Sequence, residues 1–259
     1  MGFWENAMAT YDALSKAKET IPFQVKFLHD FYQSFIQGSR WLMYAKGLLV
    51  TMEITAVALL IGVALGILVA VIRTTHDLQR PGRRGNPVVG LLNVLCKVYT
   101  TVIRGTPMMV QLLIMYFVIF AGSRNQTGLA MLAFGINSGA YVSEIIRGGI
   151  MSVDQGQTEA GRSLGMSYSP VMRYIVIPQA IKNIFPALGN ELITLFKETS
   201  IVTVIGLVDL TKAAILVQSK SYQAFMPFIG IALIYLGMVL LLTWLLGLVE
   251  RRLRQSDRR

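Results

Sequence analysis

Among the charged side chains that stand inside largely apolar stretches, Glu144, Lys197 and Glu198 are the candidates for chemistry. Within a bilayer each costs roughly 2.5–3.5 kcal/mol on insertion scales, so such groups usually face a bundle interior or water. There they either hold a polar solute or pair across helices. Lys197 and Glu198 are adjacent, and neighbours on a helix diverge by about 100°. One can pair with another helix while the other looks into a path. Thr199 and Ser200 follow directly. Arg104 precedes Gly105-Thr106-Pro107, where the proline removes a backbone donor and the residue before it resists helix. Backbone donors there, or Arg104 itself, suit a carboxylate. Gln111 and Asn137 are weaker candidates, and Asn137 has the simpler use of bonding to a neighbouring helix.

Catalysis and metal binding find no residue set. There are two histidines, His29 and His76, and one cysteine, Cys96. Neither a disulfide framework nor a multi-ligand metal site can be built from these. No His-Glu-x-x-His and no Gly-x-x-x-x-Gly-Lys-Ser/Thr phosphate loop occurs, so any ATP used is bound by another chain.

The elements that position these residues follow from composition. Hydrophobic residues make up 54% and charged residues 15%, where a soluble domain carries about 25% charge. The mean hydropathy is +0.55. An ordinary soluble domain and a disordered chain are both excluded. Spans are expected at about 47–72, 106–121, 128–146, 188–210 and 225–249. Gly62 and Gly66 in the first are spaced for close helix packing. The region from Val88 to Ala121 is too long for one straight span and reads as bent at Gly105-Thr106-Pro107, its half before the bend partly interfacial. Glu191 and Asp209 also fall in the fourth span.

Five spans put the termini on opposite sides. One side then collects fourteen Lys and Arg, including Arg73, Arg80, Arg83, Arg84, Arg258 and Arg259. The opposite loops collect three, Arg124, Lys212 and Lys220. The richer side is cytoplasmic, which places the N-terminus outside and the C-terminus inside, with residues 251–259 a basic cytoplasmic tail. The net charge of +10 is thereby explained without nucleic acid. Residues 1–46 form an external or interfacial segment. Phe23, Phe27, Phe31 and Phe35 recur every four residues, one apolar helical face suited to lying in the outer interface.

Some forty residues separate the third and fourth spans, too many for a simple connection. Asp154 can cap a short helix from Gln155. Ala160, Gly161 and Gly165 give it a close-approach surface, and Gly165 can supply the left-handed residue that ends it. A second helix is expected from about Pro170 to Ile177, ending before Pro178. Two such helices suit docking into a groove of another protein, or packing on themselves.

Glu159-Ala160-Gly161, Gly165 and Ile175-x-Ile177-Pro178 resemble the EAA loop of bacterial ABC importer permeases. Gly161 stands where the motif has a second Ala. Arg104-Gly-Thr-Pro-Met-Met-Val110-Gln111-Leu112 resembles the signature of polar amino acid permeases. Tyr141-Val-Ser-Glu144-Ile-Ile-Arg147-Gly148 resembles the end of their third span. Phe196-Lys197-Glu198-Thr199-Ser200 resembles their Lys-Asp/Asn-Thr-Ser run, with Glu198 at the Asp/Asn position. The resemblance covers about residues 47–250.

It implies an all-α membrane protein, a five-span type I importer domain with cytoplasmic coupling helices in the loop 154–178. It implies a bacterial inner-membrane location. It implies two such subunits, identical or paired paralogues, around a path for a polar amino acid. Two ATPase subunits below hold ATP and Mg, and an external binding protein delivers the solute. No cofactor is expected in this chain. Coupling to the ATPases falls to Glu159, Ala160, Gly161, Gly165 and Pro178. The substrate path falls to Arg104, Thr106, Gln111, Asn137, Glu144, Glu198, Thr199 and Ser200. The alternative is an ion-coupled secondary transporter of small polar solutes, which would often show inverted repeats; none is evident. A membrane enzyme would need the catalytic set that is missing.

Overall fold

The computed structural model describes residues 2–18, 20–77 and 86–255, and among these there is no strand. Arg80, Arg83, Arg84, Arg258 and Arg259 of the expected cytoplasmic charge lie outside the described residues. The helices are α1 (Gly2–Lys16), α2 (Phe23–Phe31), α3 (Trp41–Asp77), α4 (Pro87–Gly105), α5 (Met108–Ile114) and α6 (Gln126–Met151). There follow α7 (Gln155–Ser163), α8 (Tyr168–Val171), α9 (Ile177–Glu198), α10 (Leu210–Ser221) and α11 (Phe225–Gln255). Four of them, α3, α4, α6 and α11, are each long and apolar enough to cross a membrane. Tyr168–Ile205 and Leu210–Ser221, taken together as one broken span, make a fifth candidate.

The helices group into two compact units. One comprises residues up to Thr51 together with Val202–Met238. In it α1 folds back on α2 through aromatic faces: Tyr11 stacks on His29 at 3.6 Å, and Trp4 stacks on Phe31 at 6.1 Å. The polar opening of the chain thus forms a helix that its composition did not announce. Phe23 and Phe27 remain exposed on the expected apolar face, while Phe35 turns inward onto Tyr44. Tyr44, Leu210, Ala213, Ala214, Val217 and Ile231 form the core beneath. Asp209, read as a membrane charge, is instead the buried N-cap of α10. It accepts from the backbone of Lys212 at 2.8 Å and Thr211 at 3.1 Å, and from the Thr203 hydroxyl at 2.9 Å. An Asp there satisfies the free N–H groups at the helix start.

The second unit comprises Met52–Ile201 and the chain from Val239. Its helices are patterned for lipid: α4 exposes Val88, Leu91, Val94, Leu95, Val98 and Val102, and buries Asn93, Cys96 and Thr100. That is one small, polar helical face turned inward and an apolar one outward, the reverse of a soluble helix. α3 runs parallel to α6 in glycine contact. Gly62 lies against Ser138 and Gly66 against Val142, while Gly135 and Gly139 of α6 receive Ile61 and Leu65. α9 runs antiparallel to α6, with Gly149 against Ile184 and Ser138 reaching Glu191.

The second expected span is divided. α4 alone has 19 residues and the length to cross. The apolar run Met108–Ile119, with a wide π turn at Met115–Ile119, covers about 18 Å at 1.5 Å per residue and is short for a bilayer. It runs antiparallel to α6: Gln111 meets Asn137, and Tyr116 meets Gln126. The break falls at Thr106–Pro107, where the sequence places it.

Candidate functional site

The bend between α4 and α5 leaves carbonyls without helical donors, and Gln111 supplies them. Its Nε2 donates to the carbonyls of Ile103 at 2.7 Å and Thr106 at 3.1 Å, and lies 2.8 Å from the Thr106 hydroxyl. Its Oε1 accepts from the buried Asn137 of α6 at 2.9 Å. Thr106, Gln111 and Asn137 are therefore one network that holds the bend against α6. Arg104, exposed at the end of α4, lies over the Tyr141 ring with its guanidinium carbon 5.3 Å from the centroid.

Glu191 and Glu198 are two helical turns apart on α9 and so share one face of it. Ser138 donates to Glu191 at 2.8 Å. Glu198 is half-buried, Lys197 is exposed, and Ser200 is half-buried. The buried Thr199 turns its hydroxyl back onto the Phe196 carbonyl at 2.8 Å, which closes the C-terminal turn of α9. From the sequence Glu191 is only one more charge in the fourth span. The seven-residue spacing that puts it on the face of Glu198 was the signal that could have marked it.

Glu144 is placed apart from that group. One oxygen accepts from Arg73 of α3, and the other from Arg147 at 3.2 and 3.3 Å. Each of its oxygens carries an arginine, so it joins α3 to α6. Arg73, counted from the sequence only among the cytoplasmic charges, lies 71 residues away on α3, beyond any local spacing rule.

The segment 154–178 is built by local rules. Asp154 caps α7, accepting from the Gly156 N–H at 2.6 Å. Gly165 has φ +83°, and its N–H reaches the Arg162 carbonyl at 3.0 Å while Met166 N–H reaches that of Gly161 at 3.1 Å. These are the paired bonds of a Schellman end, as the glycine predicts. Glu159, Ala160, Arg162 and Leu164 are exposed, Leu164 by 84%.

Two expectations are corrected here. Gly161 is buried, not outward-facing: a Cβ on it would stand 2.8 Å from Ile175 Cδ1 and 3.0 Å from Val171 Cγ2. Its smallness serves the packing of α7 on the segment that follows. The second helix also starts earlier and does not stop at Pro178. It begins at Tyr168, passes a π turn at Met172–Val176 and enters α9, whose first turn holds Pro178. A proline ring inside a regular helix clashes with the carbonyl four residues back. The wide turn just before it relieves that clash, so the helix continues.

Long apolar helices that turn their small polar faces inward, with a capped, exposed loop helix between α6 and α9, define a membrane-embedded protein. The chain matches over residues 86–255 the family described as binding-protein-dependent transport system inner membrane component, and it belongs to that family. It is a permease subunit of an ABC importer and not itself an enzyme, and the secondary-transporter alternative falls away. It is 40% identical over 215 residues to the arginine transport system permease protein ArtQ of Bacillus subtilis, covering 82% of this chain and 93% of that one. It is 37% identical, at the same coverage, to a putative glutamine transport system permease protein GlnP of Rickettsia bellii. A crystal structure of an amino acid ABC transporter with histidines matches with TM-score 0.74 and 41% identity, covering 90% of this chain and 99% of that one. The MetNI methionine transporter, at 18% identity and TM-score 0.69, shares the fold.

Proposed function

We propose that the chain forms the path of a polar amino acid importer, paired with a second copy or a paralogue. Two ATPase subunits carry ATP and Mg and dock on α7, and an external binding protein supplies the amino acid. The observation that supports this most is the capped, Schellman-ended α7, whose exposed Glu159, Ala160, Arg162 and Leu164 form a compact docking face. Its relatives named for arginine and glutamine transport suggest the substrate class. Reconstitution with the ATPase and binding protein should give hydrolysis stimulated by polar amino acids. Hydrolysis indifferent to every amino acid with its binding protein would sink the reading.

Within the path, Glu198, with Glu191 on the same face of α9, suits the substrate ammonium, and Ser200 adds a hydroxyl. Arg104 suits the carboxylate. Thr106, Gln111 and Asn137 hold the bend that shapes the wall, and Thr199 ends α9. Glu198→Gln should lower transport about tenfold or shift preference among basic, neutral and acidic amino acids, the scale of one lost charge-assisted bond of 1.5–3 kcal/mol discounted for partial exposure. Transport kinetics across the three classes measure it. Wild-type kinetics and preference would return Glu198 to a structural part.

The N-terminus lies outside and the C-terminus in the cytoplasm on this reading. Reporter fusions after Asp77, Gly122, Gln157, Ser219 and Arg259 should read inside, outside, inside, outside, inside. A cytoplasmic signal at Ser219 would contradict the five-span arrangement.

A further inference from the structure

We infer that Arg73 and Glu144 clamp α3 to α6, so that both helices follow the docking helix α7 as one body. The inference rests on the importer reading above. The two helices meet along a reciprocal seam in which Gly62 and Gly66 of α3 admit Ser138 and Val142. Gly135 and Gly139 of α6 admit Ile61 and Leu65. The contact is close enough that a Cβ on Gly66 would stand 3.0 Å from the Ser143 backbone nitrogen. Such a seam holds the helices together by the packing of Ile61, Leu65, Ser138 and Val142 against glycine.

Toward α7 the seam changes character. Arg73 donates to one oxygen of Glu144 and lies 3.5 Å from the Thr100 hydroxyl of α4. Arg147 donates to the other oxygen of Glu144, and its Nη1 is 3.7 Å from Asp77 Oδ2. Opposite charges thus alternate along Arg73, Glu144, Arg147 and Asp77, joining α3 to α6 twice within four residues of α3. The Arg73 and Glu144 side chains are only 12% and 21% exposed, so breaking either contact leaves a poorly solvated charge. Charge pairs of this kind fix register and carry the grip of the glycine seam on to the ends of the two helices nearest α7. Arg147 is four residues from the end of α6, and α7 begins at Gln155. A push on α7 therefore reaches α6 beside the clamp, and with the clamp intact it moves α3 as well. Without it, the ends of α3 and α6 beyond the glycine seam part under load and the stroke is lost. Arg73 and Glu144 are positioning residues that act through the helices and do not touch the substrate.

The test uses the complete complex, with ATPase and binding protein, in proteoliposomes. Arg73→Gln and Glu144→Gln should keep basal ATP hydrolysis while the amino acid moved per ATP falls about tenfold, within the usual range of coupling between sites. Arg73→Lys should retain most of the coupling. Arg73→Cys combined with Glu144→Cys, in a background carrying Cys96→Ala, should be uncoupled and then recover when a short bis-methanethiosulfonate bridges the two thiols, each disulfide forming with loss of methanesulfinate. Reductant should reverse the recovery. A wild-type ratio of transport to hydrolysis in both glutamine variants would overturn the clamp. So would a bridge that abolishes the remaining transport, since the pair would then have to open during the cycle. A wild-type complex without amino acid-stimulated hydrolysis would overturn the importer reading and the clamp with it, an outcome distinct from variant behaviour.

Discussion

Gly161→Leu should abolish transport while the subunit still inserts and is recovered from the membrane. A Cβ alone would stand 2.8 Å from Ile175 and 3.0 Å from Val171, and leucine adds three more carbons into the same space. Overpacking of this kind costs about 1–3 kcal/mol. That is too little to unfold a membrane bundle. It is ample to lift a nine-residue helix away from the segment it packs on. The ATPase would then meet a displaced Glu159 and Leu164. Gly161→Ala should fall between, since the side chains it meets are the ends of Ile175 and Val171. Leu164→Ser supplies the contrast, because Leu164 is 84% exposed and touches little of its own chain. It should weaken ATPase co-purification without disturbing α7. Co-purification and stimulated hydrolysis are the measurements. Wild-type levels of both in Gly161→Leu would mean that α7 is not the coupling element.

The parts of this site that were legible in the sequence are those decided by a few neighbouring residues. Asp154 capping α7 and Gly165 ending it are local events, and both are found where the spacing puts them. The bend at Thr106–Pro107 is equally local. Gly161 was recognised as a close-approach residue but assigned to the wrong neighbour. Its direction depends on where Val171 and Ile175 arrive, which the π turn at Met172–Val176 decides. Pro178 reads as a stop because its ring crowds the carbonyl four residues back, and nothing in the sequence states that the turn before it is wide. Glu144 was legible as a charge in a span, but its partner Arg73 lies on another helix with no periodicity linking the two. Asp209 had a cap's sequence, Asp-Leu-Thr ahead of an apolar run, and was misread because the span assumed for it continued through.

Gly66→Leu should cost the protein its assembly altogether, the largest effect expected outside the loop. A Cβ at position 66 would lie 2.5 Å from Val142 Cγ1, 2.7 Å from Val142 Cβ and 3.0 Å from the Ser143 nitrogen. The Cγ1 can rotate away, but Val142 Cβ and the backbone of α6 cannot, and valine has one favoured rotamer in a helix. α3 would have to retreat from α6 along the whole seam. Gly62 against Ser138 and Leu65 against Gly139 would lose contact with it. Within a membrane, packing of this sort is the main force between helices, because lipid tails solvate an apolar face as well as leucine does. The retreat therefore has no compensating gain. Gly90→Leu is the control, since α4 offers open space there and nothing lies within 4 Å of its would-be Cβ. Detergent-solubilised Gly90→Leu should elute and melt like wild type, and Gly66→Leu should aggregate or be degraded in the membrane. Equal yields and equal melting of the two variants would show that the α3–α6 seam is not what holds this bundle together.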